Sequence, residues 1–308
     1  MERRISYKDV EKALTEAYEE LRGVTDGTED ARVAGKEKAD DFNIAIVLTD
    51  GRTLTAGDTR TLAPLGRIAR VPLSVELLSQ NTPDELAQKR GGCRCSCGKK
   101  PKIAFGAHAI RAVSAVAPQN DADGKYQVLL DRIAGLTDGA PVFSDDLYKV
   151  LSEEASAMKM AEVLKDAGYE LYDDADKCLD VYAKLQALEL STEQLAILGA
   201  TIAADGRNPR SGVYAFDGKV AANVVGLMAQ SKVGHGCRKV WMMKTGLPAA
   251  ASFGGTVLAI LPGFGAIAVY SPRLCEGSGV SVRGAKALQS IARKLDLNVF
   301  ASARVAVE

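Results

Sequence analysis

Apolar positions change their period three times along this chain, and each change marks an element. After Ser6, with Asp9 three residues on, Val10, Ala13, Leu14 and Ala17 recur at helical spacing, so residues 7–22 are predicted to form an amphipathic helix opened by a capping box. Gly23–Asp41, rich in Gly, Asp and Glu, reads as loop. Ile44–Leu48 is then continuously apolar and runs into Asp50-Gly51 and a second short strand, the pattern of a β-hairpin. Helical spacing dominates from about 65 to 229, and within it Ser191 with Gln194 caps a run through Leu195, Leu198 and Ile202 that stops at Asp205-Gly206. Beyond Gly236 strand signals return. Lys239–Thr245 is a candidate strand, and Gly255–Leu261 and Ala266–Ser271 are stronger ones joined through Pro262-Gly263-Phe264-Gly265. Ala285, Leu288, Ile291, Ala292 and Leu295 restore helical spacing over 282–295.

Strands near both ends with helices between them predict an α/β (α+β) fold, in which one mixed antiparallel sheet is assembled from 1–64 and 230–308. Residues 65–229 form a helical lobe beside it, with a ligand cleft between the two. Composition narrows the function without choosing it. The chain has 308 residues, 47% apolar and 25% charged, with 39 basic and 39 acidic side chains. That balance gives no electrostatic footprint for nucleic acid or an anionic membrane surface. The longest apolar run, Thr256–Tyr270, is broken by Pro262, Gly263 and Gly265, too early for a spanning helix. No apolar stretch follows the basic start, so a cytoplasmic protein is expected.

Several landmarks stand in a fixed order. They are Asp50-Gly51 with Ala56-Gly57-Asp58, then Thr192–Leu195 through Ala203-Ala204-Asp205-Gly206-Arg207-Asn208-Pro209. Gly246-Leu247-Pro248-Ala249, Gly254-Gly255, Leu261-Pro262-Gly263, Ser271-Pro272 and Gly277–Gly284 follow. Together they resemble the serine-dependent glutaminase family of the penicillin-binding/β-lactamase-like superfamily, across roughly residues 10–300. The resemblance implies that fold, self-association into a homo-oligomer, and a Ser-x-x-Lys pair whose serine is acylated by the glutamine amide. The matching segment here is Leu65-Gly66-Arg67-Ile68-Ala69-Arg70-Val71, which puts Arg67 at the nucleophile position and Arg70 at the base position. A guanidinium is neither an acyl-transfer nucleophile nor a base at physiological pH. The family's further site positions fall on Gly106, Met160, Gly234, Ala250-Ala251-Ser252 and Phe253, whereas Glu153 and Tyr182 match it.

From these departures the expectation is a catalytically diverged protein, binding a small anionic ligand or a protein partner through Arg67, Arg70, Glu153 and Tyr182. An amidohydrolase acting on L-glutamine or another amide is the alternative, and a structural or assembly role is a third. Arg67 and Arg70, at i and i+3, either clamp a carboxylate or phosphate or pair with an acid such as Glu153. Cys93, Cys95, Cys97 and His108 offer a zinc site, although alternate residues of an extended segment point to opposite sides; a redox pair, plain thiols, or a cysteine nucleophile with His108 as base are the other readings. No cofactor other than that zinc is called for.

Overall fold

The computed structural model describes residues 2–33, 35, 39–89, 107–166, 171–231, 233, 238–301 and 304–308. A five-stranded antiparallel sheet is its centre. It is made of β2 (Asn43–Leu48), β3 (Thr53–Ala56), β7 (Ala249–Ala251), β8 (Thr256–Leu261) and β9 (Gly265–Tyr270), in the order β3-β2-β9-β8-β7. All six residues of each of β2, β8 and β9 are buried. Both faces of the sheet are therefore covered, and this is why these strands read as continuous apolar runs rather than alternating ones. The β2–β3 hairpin turns at Asp50-Gly51, with Val47 opposite Thr53, and the β8–β9 hairpin closes with Leu261 opposite Gly265. Antiparallel pairing of β2 with β9, Leu48 opposite Gly265, joins the two hairpins.

On one face lie α1 (Tyr7–Leu21) and α12 (Val282–Leu295), packed on each other. The first is opened by the capping box of Ser6 and Asp9, and the second by Ser281, whose hydroxyl accepts from the Gly284 amide. Beside them α11 (Arg238–Thr245) buries Trp241, whose indole N–H donates to Leu247 O at 2.8 Å. Lys239–Thr245 is thus a helix, not the strand expected: the single buried ring anchors one face while Val240 and Met243 stay exposed. β1 (Glu2–Ile5) pairs in parallel with β10 (Arg304–Val307).

The opposite face receives α9 (Thr192–Ala203), which is buried around nearly its whole circumference. Gly199 is what lets it approach: a Cβ there would lie 2.5 Å from Ala266 Cβ and 2.8 Å from Leu258 Cδ1. Around α9 gather α2 (Arg70–Gln80), α5 (Ala122–Leu136), α8 (Ala175–Gln186) and α10 (Lys219–Ala229), with α4 (Ala107–Ala115) packed on α2 and α8. The short α3 (Pro83–Lys89), α6 (Asp145–Ala157) and α7 (Met160–Asp166) complete this side. It is not purely helical, because β4 (Leu62–Pro64), β5 (Val142–Phe143) and β6 (Leu188–Ser191) form a second sheet in the order β4-β6-β5.

Inside α5 the Lys125 ammonium is buried and sits 3.2 Å from the Asp173 carboxylate, also donating to Val116 O. Among the described residues no helix is long and apolar enough to cross a membrane.

Candidate active site

Where β4 ends, the chain makes a short 3₁₀ turn, Gly66–Ala69, and runs directly into α2. Gly66 takes φ +48°, and a side chain there would strike Ser252 and the Phe253 ring, so the turn is pressed against the chain that follows β7. Arg67 on the turn and Arg70 at the start of the helix open onto one cleft of about 500 Å³. Its floor is that turn with Ala250 and Ala251 of β7. Its walls are α2, α4 and α10, with Ser74, His108, Gln230 and Ser231 as the other polar contributors.

The two arginines are held differently. Arg70 is largely exposed, and its Nε donates to the Tyr182 hydroxyl at 3.0 Å, Tyr182 itself being buried in α8. Arg67 is partly buried, its Nε has no hydrogen-bond partner, and its guanidinium makes no ion pair among the described residues. Burial first, and then the positive charges of Arg70 and Arg32, push the Arg67 guanidinium below the usual arginine range. A guanidinium nonetheless stays a cation at neutral pH. Gly279 leaves it room: a Cβ at that glycine would lie 2.9 Å from Arg67 Nη2.

The segment after α1, read from the sequence only as loop, reaches this site. Arg32 forks onto Asp30 with two hydrogen bonds of 2.7 Å, lies 4.0 Å over the Phe253 ring, and comes within 3.7 Å of Glu154. Burial raises the Asp30 carboxyl, but the Arg32 fork outweighs it and holds the acid below the ordinary carboxylate range. The loop is itself anchored by Arg283, a fully buried guanidinium that donates to the carbonyls of Arg22, Ala39, Asp40 and Asp41 and to Ser271 Oγ. The roles of Arg32 and Arg283 were not legible in the sequence, since the Phe253 ring and Glu154 beside the first, and the carbonyls gathered by the second, come from far along the chain.

The structure therefore brings together Arg67, Arg70, Tyr182 and His108. Glu153 is exposed on α6 and does not line the cleft; the acid that approaches an arginine there is its neighbour Glu154, one position round the helix. Phe253 is buried beneath Arg32. Gly234 and the Cys93, Cys95 and Cys97 cluster lie outside the described residues, and among those described no group of three His, Cys, Asp or Glu is placed to hold a metal.

A glutaminase family model matches residues 97–300. The chain belongs to the glutaminase family. The glutaminase of Bacteroides fragilis is 29% identical over 100% of this chain and 99% of its own. Glutaminase 1 of Escherichia coli is 30% identical over 94% of this chain and 97% of its own. Among solved structures, the probable glutaminase ybaS superposes with a TM-score of 0.83 at 28% identity, covering 96% of this chain and 99% of that one. A probable glutaminase from Bacillus subtilis, solved with 6-diazo-5-oxo-L-norleucine, shares the fold at a TM-score of 0.78 and 21% identity. Full-length likeness to proteins named glutaminases overturns the expectation of a chain without that chemistry, kept for binding alone. The expectation failed because Arg67 and Arg70 remove one nucleophile-and-base pair. They do not remove the cleft, its donors, or the likeness of the rest of the chain.

Proposed function

We propose that this protein is an amidohydrolase of the glutaminase kind, releasing ammonia from the side-chain carboxamide of L-glutamine or a related amide in the cleft above Arg67 and Arg70. The observation that carries this reading is the full-length match to glutaminases, to which the fold adds an open cleft of about 500 Å³ over the start of α2. Hydrolysis forms a C–O bond from water to the carboxamide carbon and breaks the C–N bond, and the nitrogen leaves as ammonia with a proton from the attacking water. Negative charge builds on the carbonyl oxygen in the transition state, where fixed guanidinium donors stabilise it without reorganising. Those same groups cannot accept the proton. His108, on the wall of the same cleft, is assigned that part, because an imidazole exchanges protons near neutrality.

The test is ammonia release by the pure protein from L-glutamine, L-asparagine and N-substituted glutamines, beside His108→Ala and Arg67→Ser/Arg70→Lys variants. Release by the wild type, falling about 10²-fold or more in His108→Ala, is the expected result. A wild type that releases ammonia from none of them sinks the reading.

A further inference from the structure

Arg67 can stabilise the carboxamide oxygen only while its charge is uncommitted, and the loop between α1 and β2 holds an acid able to claim it. Burial and the Arg32 fork act most strongly on the Asp30 carboxyl, but the Arg67 charge also favours its ionised form. Burial and the cations Arg70 and Arg32 act most strongly on Arg67, and Asp30 works against them. The Phe253 ring ties the two stretches of chain together. A Cβ on Gly66, the residue before Arg67, would lie 2.9 Å from Phe253 Cε1, while Arg32 lies 4.0 Å over the same ring.

Asp30 is nonetheless turned to Arg32. Its two oxygens accept from Arg32 Nε and Nη2 at 2.7 Å each, and Oδ1 also accepts from the Arg32 backbone amide at 3.1 Å. With the Arg32 side chain 14% exposed and that of Asp30 19%, this fork is shielded from the water that weakens surface pairs. Arg67 keeps a buried Nε without a hydrogen-bond partner and makes no ion pair among the described residues. Two cations thus stand beside one carboxylate, and the geometry gives it to Arg32, which does not line the cleft.

Resting on the amide-hydrolysis reading, we propose that Arg32 is a positioning residue: by holding Asp30 in a two-bond fork over Phe253, it keeps Arg67 unneutralised for the carbonyl oxygen of the amide. A carboxylate on Arg67 would cancel the charge that stabilises the oxyanion and fill the donors that point to it. Arg32 takes no part in making or breaking a bond. It acts by occupying the rival for Arg67.

The test reads the state of Arg67 and the reaction separately. Phenylglyoxal is attacked by the uncharged form of a guanidine, so pairing with a carboxylate, which favours the cation, slows labelling. Labelling of Arg67, resolved from Arg70 by fragmentation mass spectrometry, is measured in the wild type, Arg32→Met, Arg32→Lys and Arg32→Met/Asp30→Asn, beside ammonia release from L-glutamine. In Arg32→Met, labelling of Arg67 is expected to slow about threefold or more and kcat to fall about tenfold or more. The double variant, with no acid left to swing across, is expected to recover both to within about threefold of the wild type. Arg32→Lys keeps the charge without the fork, is expected to fall between, and carries the test if Arg32→Met does not fold. Unchanged or faster labelling in Arg32→Met, which is what a merely loosened loop gives, overturns the proposal, as does a double variant no more active than the single. The expected labelling pattern with no ammonia from any form, the wild type included, defeats the hydrolysis reading and leaves the hold of Arg32 on Asp30 standing. Ammonia release that is equal in all four forms does the reverse.

Discussion

Lys125→Met is the perturbation whose cost the structure sets most tightly. The Lys125 side chain is 1% exposed and that of Asp173 is 3% exposed, with 3.2 Å between ammonium and carboxylate. Methionine keeps most of the aliphatic stem and removes the charge, so the cavity contribution is small. What remains is a buried carboxylate stripped of its cation, and breaking such a pair costs about 3–5 kcal/mol. For a chain of 308 residues, with an unfolding entropy of about 2.1 cal/mol/K per residue, that lowers the melting temperature by roughly 5–8 °C. Burial raises the Asp173 carboxyl, but the Asp174 amide, the Lys125 ammonium and the Asn120 amide outweigh it and hold the acid below its usual value. A depressed carboxyl stabilises the fold above its unfolded pKa of about 3.9, and that contribution is lost as the pH falls below about 4 toward the folded value. In Lys125→Met the carboxyl loses the cation that depressed it, so this acid-side loss shrinks and the variant's deficit is expected to be smaller at pH 4 than at pH 7. Adding Asp173→Asn removes the orphaned charge, so the double variant is expected to recover at least half of the loss. Urea midpoints for the wild type, both single variants and the double variant, at pH 7 and pH 4, test this. A Lys125→Met cost under about 1 kcal/mol, or a double variant no more stable than the single, refutes the reasoning.

Two further variants probe the packing and the site. Gly199→Val places carbon against Ala266 and Leu258, where even a Cβ is 2.5–2.8 Å away, and is expected to cost about 1–3 kcal/mol or more in urea unfolding; a neutral effect would mean that α9 does not lie so close to the sheet. Tyr182→Phe removes the hydroxyl that fixes Arg70 and is expected to change stability by no more than about 1.5 kcal/mol while raising the KM for an amide several-fold; an unchanged KM would show that Arg70 does not need that anchor.

Legibility in the sequence followed the range of the interaction. The helices opened by Ser6, Ser191 and Ser281 and the hairpins at Asp50-Gly51 and Pro262–Gly265 are local, so their signals were on the surface of the text. The helical state of Arg238–Thr245 was not, because it is decided by where Trp241 is buried. Arg67 and Arg70 could be read as neighbours on one face, and their common cleft agrees. That Tyr182 holds Arg70 could not be read, nor that Glu154 rather than Glu153 approaches an arginine, because the first depends on the packing of α8 against the turn before α2 and the second on where the loop carrying Arg32 meets α6. The loop around Asp30 and Arg32 carried only a loop's composition, and its place beside Phe253 comes from carbonyls gathered by Arg283, some 240 residues away. The inference from missing chemistry to missing function was the larger error: it weighed departures at a few site positions, Arg67 and Arg70 first, above a likeness that runs through the whole chain.

The pairing of β2 with β9 also imposes an order in time on a ribosome. The six residues of β2, all buried in the fold and five of them apolar, emerge early, and their partner strand is made only after ~210 further residues, a wait of roughly 10–40 s at ~5–20 residues per second. Through that interval the first hairpin has α1 already made beside it but lacks its neighbouring strand and α12, and α9 follows only at Thr192–Ala203. The nascent chain must therefore carry an unpaired, sticky edge for most of its synthesis, which makes this segment the natural handhold for a chaperone and the place where slowed translation would first show as aggregation.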